Sequence, residues 1–308
     1  MLTYILKDTE GNVTSLNAPL KVSIVSSENA PADRLNAVFA VSGDIPVLYS
    51  VEVKNGGERV FFGYIDEQSD EKSSKGILLS VSARSLEGVL LDNEAHPQIY
   101  CSPSMPLLMK RHFEPLGFTE FNGTDKSFNG QLNVTKGMSE WSVLSAFCKY
   151  FIGTEPEIDK YGVIDISGRE NDEVVYLSSD RIYSVKHELK NTALISEILA
   201  RTYIAGDYTM PVINETAKRV KVRRRRYVNS VDSKSGTVLD ARRMIERSEK
   251  AYERITVGCT GCILCGTGAG LIISGDRRKY RIREISYMLD TSGERTIIYA
   301  EVKNDEAV

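Results

Sequence analysis

YSVEVKNGGERVFFGYI, residues 49–65, sets the fold class of the N-terminal part of the chain. Tyr49, Val51 and Val53 alternate with Ser50, Glu52 and Lys54, the period of two that a strand with one buried face requires. Asn55-Gly56-Gly57 then supplies a turn, and RVFFGYI (59–65) returns as the partner strand of a hairpin. ILLSVSA (77–83) alternates again, with Leu79, Val81 and Ala83 on one face. Short strands joined by Gly, Asn and Ser turns predict a small antiparallel barrel or sandwich over the first ninety residues.

The pattern changes near residue 84. RSLEGVLLDNEA (84–95) fits a short helix, HPQIYCSPSMP (96–106) is a proline-punctuated crossing, and LLMKRHFEPLGF (107–118) reads as a second short helix stopped by Pro115 and Gly117. SEWSVLSAFCKYF (139–151) is a clearer helix. Ser139 can cap it, Trp141, Leu144, Cys148 and Phe151 share one face, and Val143, Phe147 and Tyr150 fill much of the other, so burial on both sides is expected. EPEIDKYGVIDIS (155–167) reads as a hairpin turning at Asp159–Gly162.

Strand character returns from 174 in VVYL, RIYSVKHEL and LISEILARTYI. A helix is expected from about Thr237, with Val238, Ala241, Ile245, Ser248 and Tyr252 on one face and Thr237-x-x-Asp240 as a capping box. The end is β again: RITVGC, GLIIS, KYRIREISYML and RTIIYAEV, the last two around the turn DTSGE (290–294). No fixed-period repeat is visible, and the order allows two related β modules flanking a mixed middle.

The bulk composition narrows the function classes. The chain has 308 residues, 42% hydrophobic and 26% charged, with a net charge of −3, so nothing global attracts it to nucleic acid or anionic lipid. The start MLTYILKDTEGN has no basic segment leading into a long apolar run, and no stretch approaches 18 apolar residues. Neither a secretory signal nor a membrane helix is expected. Five cysteines without such a signal point to a reducing compartment, where Asn12-Val-Thr14 and Asn133-Val-Thr135 carry no meaning for glycosylation.

GCTGCILCGTGAGL (258–271) is the densest chemical candidate. Cys259, Cys262 and Cys265 have the spacing of an iron–sulfur run, but Ala269 stands where a fourth ligand would fall, and His96, His112 and His187 are remote in sequence as zinc partners. The glycines read G-x-G-x-G and a strand follows, whereas a dinucleotide loop needs G-x-G-x-x-G opening a helix. A tight β connection within a second β module, holding buried thiols and no metal, is the expected reading. The three histidines, without H-E-x-x-H spacing or a nucleophile elbow beside them, read as polar surface or capping residues. No catalytic set emerges.

The strongest electrostatic feature is KRVKVRRRRYV (218–228), in which Lys218, Arg219, Lys221, Arg223, Arg224, Arg225 and Arg226 occupy seven of nine positions. Residues 218–254 carry a net +8 against −11 for the rest of the chain. Extended, the arginines would charge both faces of a strand, and Tyr227 alone interleaves them, which is poor for stacking single-stranded bases. A solvated or subunit-facing charged ribbon is expected, contacting an acidic protein neighbour rather than nucleic acid.

Three stretches carry a family resemblance. VFFGYIDEQSDEKSSKGILLSVSARSLEGVLLDNEAHPQIY (60–100) is similar to the end of the first barrel in baseplate hub proteins of contractile phage tails. TKGMSEWSVLSAFCKYFIGTEPEIDKYGVIDIS (135–167) resembles the helix and hairpin that follow there, and YRIREISYMLDTSGERTIIYAEV (280–302) the closing hairpin. The relatives are the hubs of defective-prophage (PBSX-type) tails, the gene D late-control family and the N-terminal part of VgrG spikes.

The resemblance implies an α+β, mainly β fold: two tail-tube-like antiparallel β-barrels with a mixed α/β middle region and a helical insert. The expected divisions are 1–95 for the first barrel, 96–172 for the middle domain and 173–308 for the second barrel, with the basic strand and helix inserted at about 206–252. It also implies a homotrimer, a pseudo-hexameric ring that adapts the sixfold tail tube to a threefold central spike. Tape-measure and baseplate wedge proteins are further implied partners. No cofactor, metal or membrane is implied, and nucleic acid enters only as DNA passing a central channel. The protein would be made in the bacterial cytoplasm and assembled into the baseplate of a phage or tailocin, its role mechanical rather than enzymatic. No lysozyme, peptidase or LysM-like segment is expected, which leaves a bare hub with a separate spike. The alternative is a metal- or nucleotide-binding enzyme centred on 258–271.

Overall fold

The computed structural model describes residues 2–28, 30–168, 171–201, 207–229 and 237–303, with side chains of the last segment described from Asp240 onward. Two units result: unit 1 takes Met1–Glu173, Thr260–Gly268 and Glu284–Thr296, and unit 2 takes Val174–Cys259, Ala269–Arg283 and Ile297–Val308. The fold is α+β and mainly β, as the alternation predicts.

Unit 1 begins with seven strands: β1 (Leu2–Asp8), β2 (Val13–Leu16), β3 (Pro19–Ser27), β4 (Arg34–Val41), β5 (Leu48–Asn55), β6 (Glu58–Ser73) and β7 (Gly76–Ser85). They are ordered β3-β4-β7-β6-β5-β1-β2, every neighbouring pair antiparallel. The sheet curls until β1 and β4, with three strands between them in that order, meet across its interior, where the rings of Tyr4 and Phe39 lie edge to face at 5.4 Å. Leu6, Ile24, Leu35, Val51, Val53, Phe61, Leu79 and Val81 complete the core. Each such large apolar side chain contributes roughly 1.5–3 kcal/mol by leaving water.

The 49–65 hairpin forms as expected, with Gly56 and Gly57 both at positive φ (58° and 95°) in a two-residue turn whose twist matches the strands. One residue departs from the expected phase. Asp8 pairs with Leu48 and Lys7 with Ser50, so Tyr49 is the extra residue of a bulge and turns outward while Leu48 takes the core position.

A second apolar core follows within unit 1, built from α1 (Glu87–Asp92), β8 (Gln98–Tyr100), α2 (Met105–Leu108), β9 (Phe121–Asn122), β10 (Leu132–Val134), α3 (Glu140–Phe147), β11 (Glu157–Ile158) and β12 (Ile164–Asp165). The expected 107–118 helix starts two residues earlier, at Met105, with Pro106 in the first turn where its missing N–H costs nothing; wider and tighter turns then carry it to Leu116, and Gly117 stops it at φ 94°. Ser139 caps α3 by accepting the Ser142 N–H at 3.2 Å, and Val143, Leu144, Phe147 and Cys148 are fully buried. The hairpin turn at 159–162 is held by the Asp159 carboxylate, which accepts the N–H groups of Tyr161 and Val163 at 2.8 and 2.9 Å. It is tied to β6: the Arg59 guanidinium lies over the Tyr161 ring and donates to the Lys160 carbonyl, while Lys160 Nζ reaches Glu58 at 2.7 Å.

Unit 2 contains β13 (Val174–Leu177), β14 (Ile182–Leu189), β15 (Glu197–Ala200), β16 (Met210–Ile213), α4 (Glu215–Arg219), β17 (Arg225–Val228), α5 (Thr237–Lys250), β18 (Glu253–Thr260), β19 (Gly270–Ile273) and parts of β20 (Lys279–Asp290) and β21 (Gly293–Val302). Its main sheet runs β14-β18-β21-β20, with β13 parallel to β19 and β19 antiparallel to β20. A separate three-stranded sheet, β16-β15-β17, is covered by α5, whose buried Ala241 and Ile245 pack with Ile198, as the sequence period predicts. Ser248 and Tyr252 of the same face are also buried. The expected Thr237–Asp240 capping box involves the Thr237 side chain, which lies outside the described residues.

Candidate functional site

The cysteine and glycine stretch is a strand connection. β18 ends at Thr260, the chain loops through 261–269, and β19 begins at Gly270; no helix starts there. Gly261 and Gly268 take positive φ (79° and 82°) at the two turns. The loop is pinned by Thr296, whose Oγ1 donates to the Gly261 carbonyl at 2.8 Å and accepts the Ile263 N–H at 3.0 Å. The sequence reading set this connection inside the second β module. Residues 260–268 instead belong to unit 1, where Cys262 and Leu264 pack against the first core, because the hydrogen bonds to Thr296 and Glu294 hold the loop there.

The donor set does not suit a thiolate. Burial pushes the Cys259 thiol up, and burial together with the Glu173 carboxylate pushes Cys265 up to about 12. Metal ligation and nucleophilic attack both require the deprotonated sulfur. The loop is equally unsuited to a phosphate, since the Gly266 N–H already points at the Glu173 carboxylate, 3.2 Å away. Among the described residues no three His, Cys, Asp or Glu side chains converge on a metal-holding position.

The histidines divide. His96 is exposed, and exposed His187 pairs with Glu253 at 2.7 Å, in keeping with surface roles. His112 does not fit that reading. It is buried in the second core of unit 1, with Nε2 2.7 Å from Tyr100 Oη and Nδ1 2.8 Å from the buried Glu140 carboxylate. The separations of 12 and 28 residues hid this set, and the apolar neighbours Met109 and Phe113 were the available signal that position 112 faces inward. Closed off from solvent, the set is a core network rather than a reaction site.

The basic segment divides as well. Asn214 caps α4 by accepting the Ala217 N–H at 2.9 Å, and Lys221, at φ 60°, ends that turn. Arg224 is structural: half-buried, it donates to the carbonyls of Thr192 and Leu194. Arg225 Nε donates to Glu197 at 2.6 Å and Lys218 pairs with Glu215 at 2.9 Å. Arg219, Lys221, Arg223 and Arg226 are exposed and, among the described residues, have no carboxylate partner. Four such cations on eight residues of chain form a positive patch on unit 2.

A second surface of unit 2 could not be read from composition. Among the described residues β14 ends the main sheet and pairs on one side only, with β18. Val185 stands opposite Val257 and His187 opposite Ile255, so their side chains share the face on which Val257 and Ile255 are fully buried. Yet Val185 and Leu189 are 54% and 55% exposed. The core face of the sheet therefore continues, uncovered, across its last strand. Tyr183, the extra residue of a bulge between Ile182 and Ser184, is likewise exposed and leans over Gly258, where a Cβ would meet its ring at 2.5 Å.

No protein-family model and no curated protein sequence matches the chain. Solved structures do. A 43 kDa tail protein of prophage MuSo2 from Shewanella oneidensis superposes with a TM-score of 0.80 at 16% identity, over 97% of this chain and 98% of that one. A tail protein from Neisseria meningitidis gives 0.77 at 18% identity, over 99% and 97%. A type VI secretion component from E. coli, described as similar in structure to two bacteriophage T4 tail proteins, gives 0.60 at 11% identity, over 93% and 74%. The chain thus has, along almost its whole length, the fold of prophage tail proteins, the hub-like fold that the stretches 60–100, 135–167 and 280–302 resemble.

Proposed function

We propose that the chain is a structural hub in the tail baseplate of a contractile injection particle, a phage tail or a tailocin, and that it works as a homotrimeric adaptor between a sixfold tail tube and a threefold central spike. The observation that carries this reading is a tail-protein fold shared over nearly the full length of both chains. Residues 1–95 and 173–308 then supply the two tube-like barrels, 96–172 the middle domain and about 206–252 the insert. Tape-measure and wedge proteins are the remaining neighbours, and the chain goes from the bacterial cytoplasm into the particle. Its work is mechanical: closing the tube tip, anchoring the spike and passing on the force of contraction.

Two surfaces support an assembling role. The uncovered apolar face of β14 suits a neighbouring subunit, since a monomer gains nothing from leaving Val185 and Leu189 in water. The exposed cations Arg219, Lys221, Arg223 and Arg226, which have no carboxylate partner among the described residues, suit an acidic face on the spike or the next subunit. Co-expression with the neighbouring tube and spike reading frames tests the reading. Both should be retained on a tagged hub; a hub that retains neither at low salt contradicts it. The enzyme reading of 258–271 has no observation in its favour.

A further inference from the structure

Where the curled sheet of unit 1 meets its second core there is a small acidic cavity of about 50 Å³, large enough for one or two waters. Its walls come from both sides of the joint: Asp33, Val60, Phe61, Phe62 and Ser85 from the sheet, Leu86 and Glu87 from the start of α1, and Ile158, Asp159 and Lys160 from the 157–165 hairpin. Ser85 links the two carboxyl-bearing residues on its rim. Its Oγ accepts the Asp33 N–H at 2.8 Å and donates to Glu87 Oε2 at 2.5 Å, and its own N–H donates to the Asp33 carbonyl at 2.9 Å.

Among the described residues no cation pairs with the carboxyls of Asp33, Glu87 or Asp159. Lys160, the one basic residue in the wall, turns its ammonium to Glu58 at 2.7 Å. Arg59 is engaged with Glu52 at 2.6 Å, and Arg84 is held between Asp66 and Asp92. Asp159 spends its carboxylate on the N–H groups of its own turn. Among the described residues the Asp33 carboxyl has the Ser26 hydroxyl as a partner. Two acid groups in such a site cannot both be charged without cost: the walls Val60, Phe61, Phe62 and Ile158 are apolar, and the donors turned to the pair are the Ser85 and Ser26 hydroxyls and the Glu87 N–H.

We propose that this joint is a proton-coupled latch: with Asp33 and Glu87 protonated the hairpin and α1 are held against the curled sheet, and with both ionised their repulsion loosens that contact. The electrostatics agree in direction. Burial lifts Asp33 from 3.8 to about 6, and burial lifts Glu87 from 4.5 to about 8, with the Asp33 and Asp159 charges adding. For an acid whose folded value is raised, the folded chain holds the proton longer than the unfolded one. The stabilisation is therefore fully present below about pH 4 and is lost as pH rises through about 6 and then about 8.

Hydrogen exchange on the full chain between pH 5 and 9, corrected for the intrinsic pH dependence of exchange, tests the latch. Protection of the amides of α1 and of Ile158–Val163 should fall by about tenfold for each pH unit over which one proton is lost. In Asp33→Asn/Glu87→Gln, which keeps the shapes but cannot ionise, protection at those amides should be flat and, at pH 9, higher than in the wild type. A flat wild-type profile, or an unchanged slope in the double variant, overturns the proposal. Because the wild-type profile is decisive by itself, a variant that fails to fold does not remove the test. Amides of Tyr4–Leu6 in β1, a strand that contributes no wall residue to the cavity, report global loosening and separate it from the local effect.

Discussion

Gly63 and His112 show how single positions carry this fold. At Gly63 in β6 a Cβ would stand 2.1 Å from the Arg84 carbonyl oxygen, a backbone atom that cannot move aside. Gly63→Ala should therefore lower the unfolding free energy by more than about 2 kcal/mol, read by urea denaturation. His112→Leu should cost about 3 kcal/mol or more by stranding the buried Glu140 carboxylate, and His112→Leu/Glu140→Leu should recover much of that loss. Equal losses in single and double variants would mean that the pair is not coupled. The sequence marks neither the close approach at Gly63 nor the partners of His112, although Met109 and Phe113 hint that position 112 faces inward. Gly63 sits in an ordinary strand run, and the partners of His112 lie on β8 and α3, so only the tertiary fold brings them together. The thiols are a milder case: at pH 8 an alkylating reagent should modify exposed Cys101 well before Cys148 or Cys265, both pushed up to about 12 by burial, as peptide mass mapping would record.

Among the elements, those with a strong period were legible and those defined by what lies beside them were not. The 49–65 hairpin, the 77–83 strand, α3 with its Ser139 cap and the buried stripe of α5 follow from alternation, capping and 3.6-residue spacing. Tyr49 departs because a bulge is a property of two strands in register, and one strand's sequence does not contain it. The 260–268 loop was legible as a turn but not as a guest of the first core, since Thr296 and Glu294, which anchor it, come some thirty residues later. β14 is the instructive case: RIYSVKHEL reads as an ordinary strand, and only its register with β18 reveals that Val185 and Leu189, each more than half exposed, extend a core face. If that face is a subunit contact, Val185→Lys/Leu189→Lys should weaken self-association at least tenfold, measured by sedimentation, while the melting temperature of the dissociated chain changes little. A loss of folding without any change in association would assign the face to the chain's own core.

For the whole molecule, the proposed function is to hold partners rather than to transform a substrate. Its chemical candidates dissolve on inspection: the thiols favour the protonated form, the glycine loop faces a carboxylate, and the buried His112 set is closed to solvent. What remains are surfaces: a basic patch of which four cations are uncompensated and an apolar sheet face at an open edge. Charge reversal at Arg223→Glu/Arg226→Glu should reduce capture of the spike and flatten its dependence on salt, without lowering thermal stability. Native mass spectrometry of the chain co-expressed with its tube and spike proteins tests the proposed trimeric adaptor. The account predicts a complex with three hub chains bound to a threefold spike, from which the Val185→Lys/Leu189→Lys variant dissociates. A single hub chain that joins neither itself nor the spike would contradict it.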